Sequence, residues 1–76
     1  GSVVHISLAK ENATQSNLLK LKGVVEAYPG ESQIHLHLET NGGEAVVELG
    51  DFRVDICDEF IEEVERLFGS RALRLG

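Results

Sequence analysis

The chain has 76 residues and a formal net charge of −6, and 42% of its residues are hydrophobic and 26% charged. A chain of this length forms one small domain, because it buries only about 60% of its unfolded surface and cannot be divided into two cores. The acidic balance disfavours direct nucleic-acid binding, since affinity for phosphate backbones comes largely from Lys and Arg.

Cysteine use and the length of apolar runs bear on the compartment. The single cysteine, Cys57, cannot form an internal disulfide, and no apolar run is as long as a signal peptide or a membrane span. We therefore expect a soluble, cytoplasmic protein without membrane contact. Gly1-Ser2 resembles an expression-tag remnant, so we take residues 3–76 as the single α+β domain.

The first elements along the chain are predicted to be a strand and a helix. Residues 3–8 alternate between apolar and polar side chains, which is the period of a half-buried strand. The polar segment 11–17 follows. Within it, Asn12 or Thr14 can cap a helix by accepting hydrogen bonds from its first free N–H groups.

Apolar residues at helical spacing continue this helix as far as a proline–glycine pair. Pro29-Gly30 ends it, because proline disfavours helical geometry in the preceding residue and Gly30 can adopt a left-handed cap. Gly23 costs about 1 kcal/mol relative to Ala inside a helix, so we expect it to mark a close contact between helix and sheet. The apolar stripe consists of Leu18, Leu21, Val25 and Tyr28.

Two alternating runs separated by Asn41-Gly42 predict a β-hairpin. A type I′ turn needs positive φ at both central residues, and Asn-Gly is a favoured pair for it. That turn sets residues 33–39 against residues 44–49 and places the apolar side chains on one face. The predicted pairs are Ile34 with Leu49, His35 with Glu48, Leu36 with Val47, His37 with Val46, Leu38 with Ala45 and Glu39 with Glu44.

A second helix and a last strand complete the chain. Asp55 is the predicted N-cap, since acidic side chains are favourable at the start of a helix dipole, and Gly69 is the predicted C-cap. Residues 71–75 form the last short strand. The buried stripe of the helix is Phe60, Ile61, Val64, Leu67 and Phe68, while Glu59, Glu62, Glu63 and Glu65 lie mostly off it.

The resulting order βαββαβ predicts a ferredoxin-like α+β two-layer sandwich. In that fold two right-handed split βαβ units interleave into a four-stranded, mainly antiparallel sheet with both helices on one face. The other sheet face stays open. It is expected to carry His5, Ser7, Gln33, His35, His37, Val46, Glu48 and Arg74.

His35 and His37 are two residues apart on a predicted strand, a spacing suited to metal ligands because alternate side chains point the same way. A zinc site needs at least a third protein ligand. In the interleaved strand order His5 lies two strands from His35, roughly 10 Å away. We therefore favour a solvated strand face with a cross-strand pair of His35 and Glu48, and we expect no metal or other cofactor.

Two further features allow a functional and a structural interpretation. Cys57 lies near a helix start, but neighbouring carboxylates oppose a thiolate, so a packing role is favoured. The acidic run of the second helix is either the binding surface for a basic partner or the solvent-exposed face of an amphipathic helix.

The sequence has no glycine-rich phosphate loop, and the expected open face has no aromatic residues for stacking RNA bases. We expect no catalytic residues.

About two thirds of the chain, from Tyr28 onward, resembles the extreme C-terminal region of the alpha subunit of bacterial DNA polymerase III. The resemblance depends on scaffold residues together with an acid-capped helix and a terminal apolar strand. Its segments are Tyr28-Pro29-Gly30, Ile34-His35-Leu36-His37-Leu38, Val47-Glu48-Leu49-Gly50, Phe52-Arg53-Val54 and Leu67-Phe68-Gly69.

This resemblance implies a fragment of a larger replicative polymerase, from the region that holds the polymerase to the tau subunit of the clamp loader. Nothing in the chain matches the polymerase's catalytic aspartates, so no catalysis by the fragment is implied. The alternative function is a small ferredoxin-like regulatory or ligand-binding module, for which Gly50-Asp51 is the one indication. The surface for a protein partner is expected to be the acidic helix, with Glu59, Glu62, Glu63 and Glu65, or the open face, with His35, His37 and Glu48.

Overall fold

A computed structural model of the protein describes residues 2–76, so Gly1 of the interpreted tag remnant lies outside the described residues. The predicted element order βαββαβ is confirmed. A single 3₁₀ turn precedes the first helix. The elements are β1 Val3–Leu8, α1 Gln15–Ala27, β2 Pro29–Thr40, β3 Gly43–Val54, α2 Asp58–Phe68 and β4 Leu73–Leu75.

The four strands form one sheet in the order β3-β2-β1-β4, with both helices packed on one face. β1 and β2 run parallel, while β3 lies antiparallel to β2 and β4 antiparallel to β1. The α+β, ferredoxin-like two-layer architecture with a mainly antiparallel sheet is therefore confirmed.

The predicted interleaving of split units is wrong, because β1 and β2 are direct neighbours and β3 lies at the edge. β2 suits a central position, since Ile34 and Leu36 are buried against the helices. β3 suits an edge, because it carries exposed charges such as Glu48 and an irregular stretch that a central strand tolerates poorly.

The core lies between the sheet and the two helices. Alternate residues of β1 and β2 point into it, and the ring of Phe60 at its centre is fully buried. The stripe of α1 is narrower than predicted, because Leu18 is exposed and Tyr28 half-buried. The core residues are Val4, Ile6, Leu8, Leu21, Val25, Ile34, Leu36, Val54, Phe60, Val64 and Ala72.

The hairpin register is confirmed from the His35–Glu48 pair to the Thr40–Gly43 pair. The predicted pair of Ile34 and Leu49 is not formed, because the register shifts between the pairs Gln33–Arg53 and His35–Glu48. One residue of β2 there faces four residues of β3. This bulge is a local irregularity that an edge strand accommodates.

The turn geometry also differs from the prediction. Neither Asn41 nor Gly42 has a positive φ, so the turn is not type I′. Among residues 2–76, positive φ occurs only at Gly69, with φ of 102°. Gly69 follows the last turn of α2 and its N–H donates to the Glu65 carbonyl over 2.8 Å, which confirms it as the C-cap.

For the N-cap of α1 the prediction left Asn12 and Thr14 open, and Thr14 is confirmed. The Thr14 hydroxyl accepts from the Asn17 N–H over 3.1 Å at the start of α1. Asp55 is not the cap of α2, because the helix begins three residues later and Cys57 takes the N-cap position without a side-chain hydrogen bond. The Asp55 N–H instead donates to the Tyr28 carbonyl over 2.8 Å.

Two glycines have roles other than those predicted. Gly30 is not a left-handed cap but part of β2, where an added Cβ would lie 2.4 Å from the Asp55 nitrogen. Its function is a close approach between two backbone segments. Gly23 has no atom within 4 Å of an added Cβ, so the predicted close helix–sheet contact is absent.

Neither helix in the part of the chain that the structure describes has the length and apolar character needed to cross a membrane.

Candidate functional site

Three histidines come together on the open sheet face, and we refer to His5, His35 and His37 as the histidine cluster. His5 and His35 are direct Cα partners on the parallel strands β1 and β2, and their ring centroids lie 5.3 Å apart. The predicted separation by two strands is therefore wrong, because it depended on interleaved strands. All three residues are half-buried.

The closest approach within the cluster is between His5 and His37. His5 Nδ1 lies 2.9 Å from His37 Nε2, and the two ring centroids are 5.0 Å apart. His35 meets the His5 ring edge-on, with an interplanar angle of 86°. Sequence spacing pointed to His35 and His37, whereas the contribution of His5 depended on which strands are neighbours.

Two carboxylates of β3 flank the cluster. The predicted pair of His35 and Glu48 is confirmed, although 3.7 Å separates His35 Nε2 from Glu48 Oε1 and the Glu48 side chain is 76% exposed. Such an exposed pair contributes little to stability. His37 Nδ1 lies 3.0 Å from Glu44 Oε1, a contact that the sequence analysis missed. The predicted register already indicated this contact, because it places Glu44 diagonally across from His37 on the same face of the sheet.

The environment of His5 favours a neutral ring. Burial lowers the pKa of His5 from 6.5, and the charges of Arg74, His37 and His35 lower it further. A backbone hydrogen bond with Gly76 acts on this pKa in the opposite direction. Gly76 lies on the Nε2 side of the ring, since a Cβ built on it would be 3.5 Å from that nitrogen.

The predicted interaction residues of α2 lie away from the histidine cluster. α2 packs on the helix-covered sheet face, whereas the histidines lie on the open face, so the two predicted residue sets form separate surfaces. Glu59 and Glu62 are exposed, while Glu63 and Glu65 are partly buried. Glu63 pairs with Arg66 over 2.9 Å, which is a contact within the helix surface.

Cys57 is half-buried and packs against the core. Tyr28 lies nearby, with its ring at 73° to that of Phe60 and the centroids 6.1 Å apart. Burial raises the pKa of Tyr28 above 10.0, and the charges of Glu63, Cys57 and Glu59 act in the same direction.

A third surface is an apolar groove between α1 and the β2–β3 hairpin, with a volume of about 270 Å³. Leu18, at 37% exposed, belongs to the groove, and Val47, at 41% exposed, pairs with the groove residue Leu36. The sequence analysis did not predict the groove. Its β3 residues, Leu49 and Phe52, lie in the bulge, and the sequence pattern does not predict that bulge. The lining of the groove is Leu18, Leu21, Lys22, Val25, Leu36, Leu49 and Phe52.

In residues 2–76 no three His, Cys, Asp or Glu side chains already stand in an arrangement that could hold a metal ion. Every fully buried side-chain nitrogen or oxygen of the described chain has a hydrogen-bond partner. No protein-family model, curated protein or solved structure matches the chain.

Proposed function

We propose that the chain is a non-catalytic protein-interaction domain, the C-terminal module of a DNA polymerase III alpha subunit, which helps attach the polymerase to the tau subunit of the clamp loader. The resemblance in the sequence supports this proposal. Its segments include the α1–β2 junction at Tyr28-Pro29-Gly30 and the end of α2 at Leu67-Phe68-Gly69.

The observation that carries an interaction role is the apolar groove. Exposed apolar surface that lines a concave site is typical of a protein-binding surface. Its volume of about 270 Å³ lies just under the roughly 300–1,000 Å³ of small-molecule pockets. Such pockets are also mostly apolar but contain a small number of precisely placed polar groups, whereas Lys22 is the one polar residue in this lining. These features favour an apolar side chain of a protein over a small regulatory ligand.

The occupant that fits this groove is an extended, basic segment of the partner protein. β3 lies at the sheet edge, so its outer N–H and C=O groups are free to pair with an added strand. Glu44, Glu48 and Asp51 are exposed along β3 and favour positive charge on that strand. An apolar side chain of the partner, next to the strand that it adds to β3, would enter the groove.

Titration of the chain with the tau C-terminal domain, followed by calorimetry and by backbone amide NMR, tests the proposal. Leu18→Glu and Val47→Glu are expected to weaken binding at least about tenfold, or about 1.4 kcal/mol, because each places a charge beside the groove. Leu19→Glu is the matched control for Leu18→Glu, since Leu19 is 61% exposed and does not line the groove.

A titration with both proteins at tens of micromolar detects a binding free energy of about 6–7 kcal/mol. If the unaltered chain shows no binding at that concentration, the result would count against the proposed function. Equal losses in Leu18→Glu and Leu19→Glu would instead remove the groove from the interface.

A further inference from the structure

We propose that the histidine cluster binds one borderline divalent transition-metal ion of the zinc class, with His5 Nδ1, His37 Nε2 and the ring of His35 as the protein ligands. This inference goes beyond the proposed function and does not depend on it. It follows from the adjacency of β1 and β2, which places three imidazoles from two strands side by side.

Hydrogen bonding defines which ring nitrogen of His37 is free. His37 Nδ1 lies 3.0 Å from Glu44 Oε1, and an ionised carboxylate can only accept a hydrogen bond. The proton of neutral His37 is therefore on Nδ1. Its Nε2 carries a lone pair, and that lone pair points to His5.

The corresponding contact of His5 is with the backbone of Gly76, on the Nε2 side of the ring. His5 Nδ1 faces His37 Nε2 across 2.9 Å, and with no metal bound the Nδ1–H of His5 donates to the His37 lone pair. Metal ligands must be deprotonated, so a metal ion that binds here takes the place of this proton, and the proton of neutral His5 moves to Nε2, on the side of Gly76.

The outer contacts match those of metal-binding histidines. Such histidines almost always donate their second ring N–H to a carboxylate or a backbone carbonyl, which holds the ring and its tautomer. Glu44 supplies the carboxylate for His37, and Gly76 supplies the backbone group for His5. Glu44 is therefore a positioning residue in this site.

The ring distances agree with zinc coordination. Two nitrogens held at about 2.1 Å from zinc are separated by about 3.0 Å at a right angle and about 3.4 Å at the tetrahedral angle. The observed 2.9 Å needs to widen by about 0.5 Å to reach the tetrahedral separation. Imidazole centres on a tetrahedral zinc ion are roughly 5 Å apart, and the centroid distances from His5 are 5.0 Å to His37 and 5.3 Å to His35.

His35 completes the site by rotating its ring. In the present arrangement its donor nitrogen does not converge with the other two, and Nε2 makes a 3.7 Å contact with Glu48. That contact is long and Glu48 is exposed, so rotation of the His35 ring loses little stabilising free energy. The fourth metal position would face solvent on the open sheet face, and imidazole ligands select zinc, nickel, cobalt or copper rather than magnesium or calcium.

Titration of the untagged chain with zinc chloride at neutral pH, after chelator treatment, tests this proposal. The chain has only three histidines, so every imidazole signal in its NMR spectrum belongs to the cluster. Calorimetry is expected to show one saturable equivalent of zinc, and the three imidazole signals should shift while the amides of α2 stay in place. No saturable binding, or shifts centred elsewhere in the unaltered chain, would overturn the proposal.

Single substitutions His5→Ala, His35→Ala and His37→Ala are each expected to weaken zinc binding at least about tenfold, and Glu44→Gln by about 10- to 100-fold. Glu62→Gln and Cys57→Ser are matched controls with unchanged affinity, because Glu62 in α2 and Cys57 at its N-cap lie away from the histidine cluster. Circular dichroism in chelator checks that each variant is folded. Unchanged zinc affinity in folded His5→Ala or His37→Ala would contradict the site, and unchanged affinity in His35→Ala would contradict its three-histidine form.

Discussion

Among single residues, Tyr28 has the environment with the clearest pH consequence. It is at the end of α1 beside the Phe60 ring, and the charges of Glu63, Cys57 and Glu59, in α2 and at its N-cap, act on its ionisation. Burial, followed by these charges, disfavours the phenolate and raises the pKa of Tyr28 above 10.0. Spacing alone predicted an apolar role for Tyr28, but not the charges of α2 that act on its pKa.

We predict that Tyr28 ionises at a higher pH in the folded chain than in the denatured chain, where its pKa is about 10. The folded state then holds the proton more tightly, so the stability contributed by Tyr28 is fully present below pH 10 and is lost as pH rises through the folded pKa. Near-ultraviolet absorbance measures this directly, because Tyr28 is the single tyrosine and there is no tryptophan.

A variant of Glu63 tests how much the carboxylates contribute to the raised pKa of Tyr28. Glu63→Gln is expected to lower the midpoint toward that of the denatured chain, because it removes the largest charge effect on Tyr28. Glu62→Gln is the matched control on the same helix and should leave the midpoint unchanged. Identical midpoints in the folded and denatured chains would contradict this account.

At the scale of elements, periodicity predicted most of what forms. The alternation of residues 3–8, the helical spacing before Pro29 and the register next to Asn41-Gly42 are all confirmed, because each depends on neighbours a few residues apart. The roles of Gly23 and Gly30 were predicted wrongly. What surrounds a glycine is decided by a distant segment, here the backbone at Asp55.

These two glycines give opposite predictions within one fold. Gly23→Ala should stabilise the protein by about 0.4–1 kcal/mol, because Gly23 is inside α1 and an added Cβ meets open space. Gly30→Ala should destabilise it by more than about 1 kcal/mol, because its Cβ would overlap the Asp55 backbone. Urea unfolding followed by circular dichroism measures both, and a stabilising Gly30→Ala would show that β2 and the segment after β3 are not in close contact.

At the scale of the whole molecule, one small core holds both layers together. Phe60 is the largest of its fully buried side chains, and β1, β2 and both helices contribute the residues around it. A 76-residue domain is expected to have a free energy of unfolding of about 4–11 kcal/mol, at roughly 0.05–0.15 kcal/mol per residue.

Phe60→Ala is therefore expected to remove about 3–5 kcal/mol and leave the domain unfolded or close to its limit. Phe68→Ala, which truncates a half-buried ring of the same helix, is the matched control and should cost clearly less. Urea unfolding compares the two variants. A loss under about 1.5 kcal/mol for Phe60→Ala would show that the core does not depend on this ring.

The sequence by itself determined the elements, the C-cap at Gly69, the register of most of the hairpin and the placement of His35 and His37 on the open sheet face, and it narrowed the N-cap of α1 to Asn12 or Thr14. These features follow from side-chain period and local hydrogen bonding. The tertiary structure alone decided that β2, and not β3, pairs with β1. Strand edges present similar N–H and C=O groups to any neighbour, so the choice depends on which arrangement buries Ile34 and Leu36 and leaves the irregular β3 at the edge. That choice brings His5 to His35 and His37 and opens the groove beside α1.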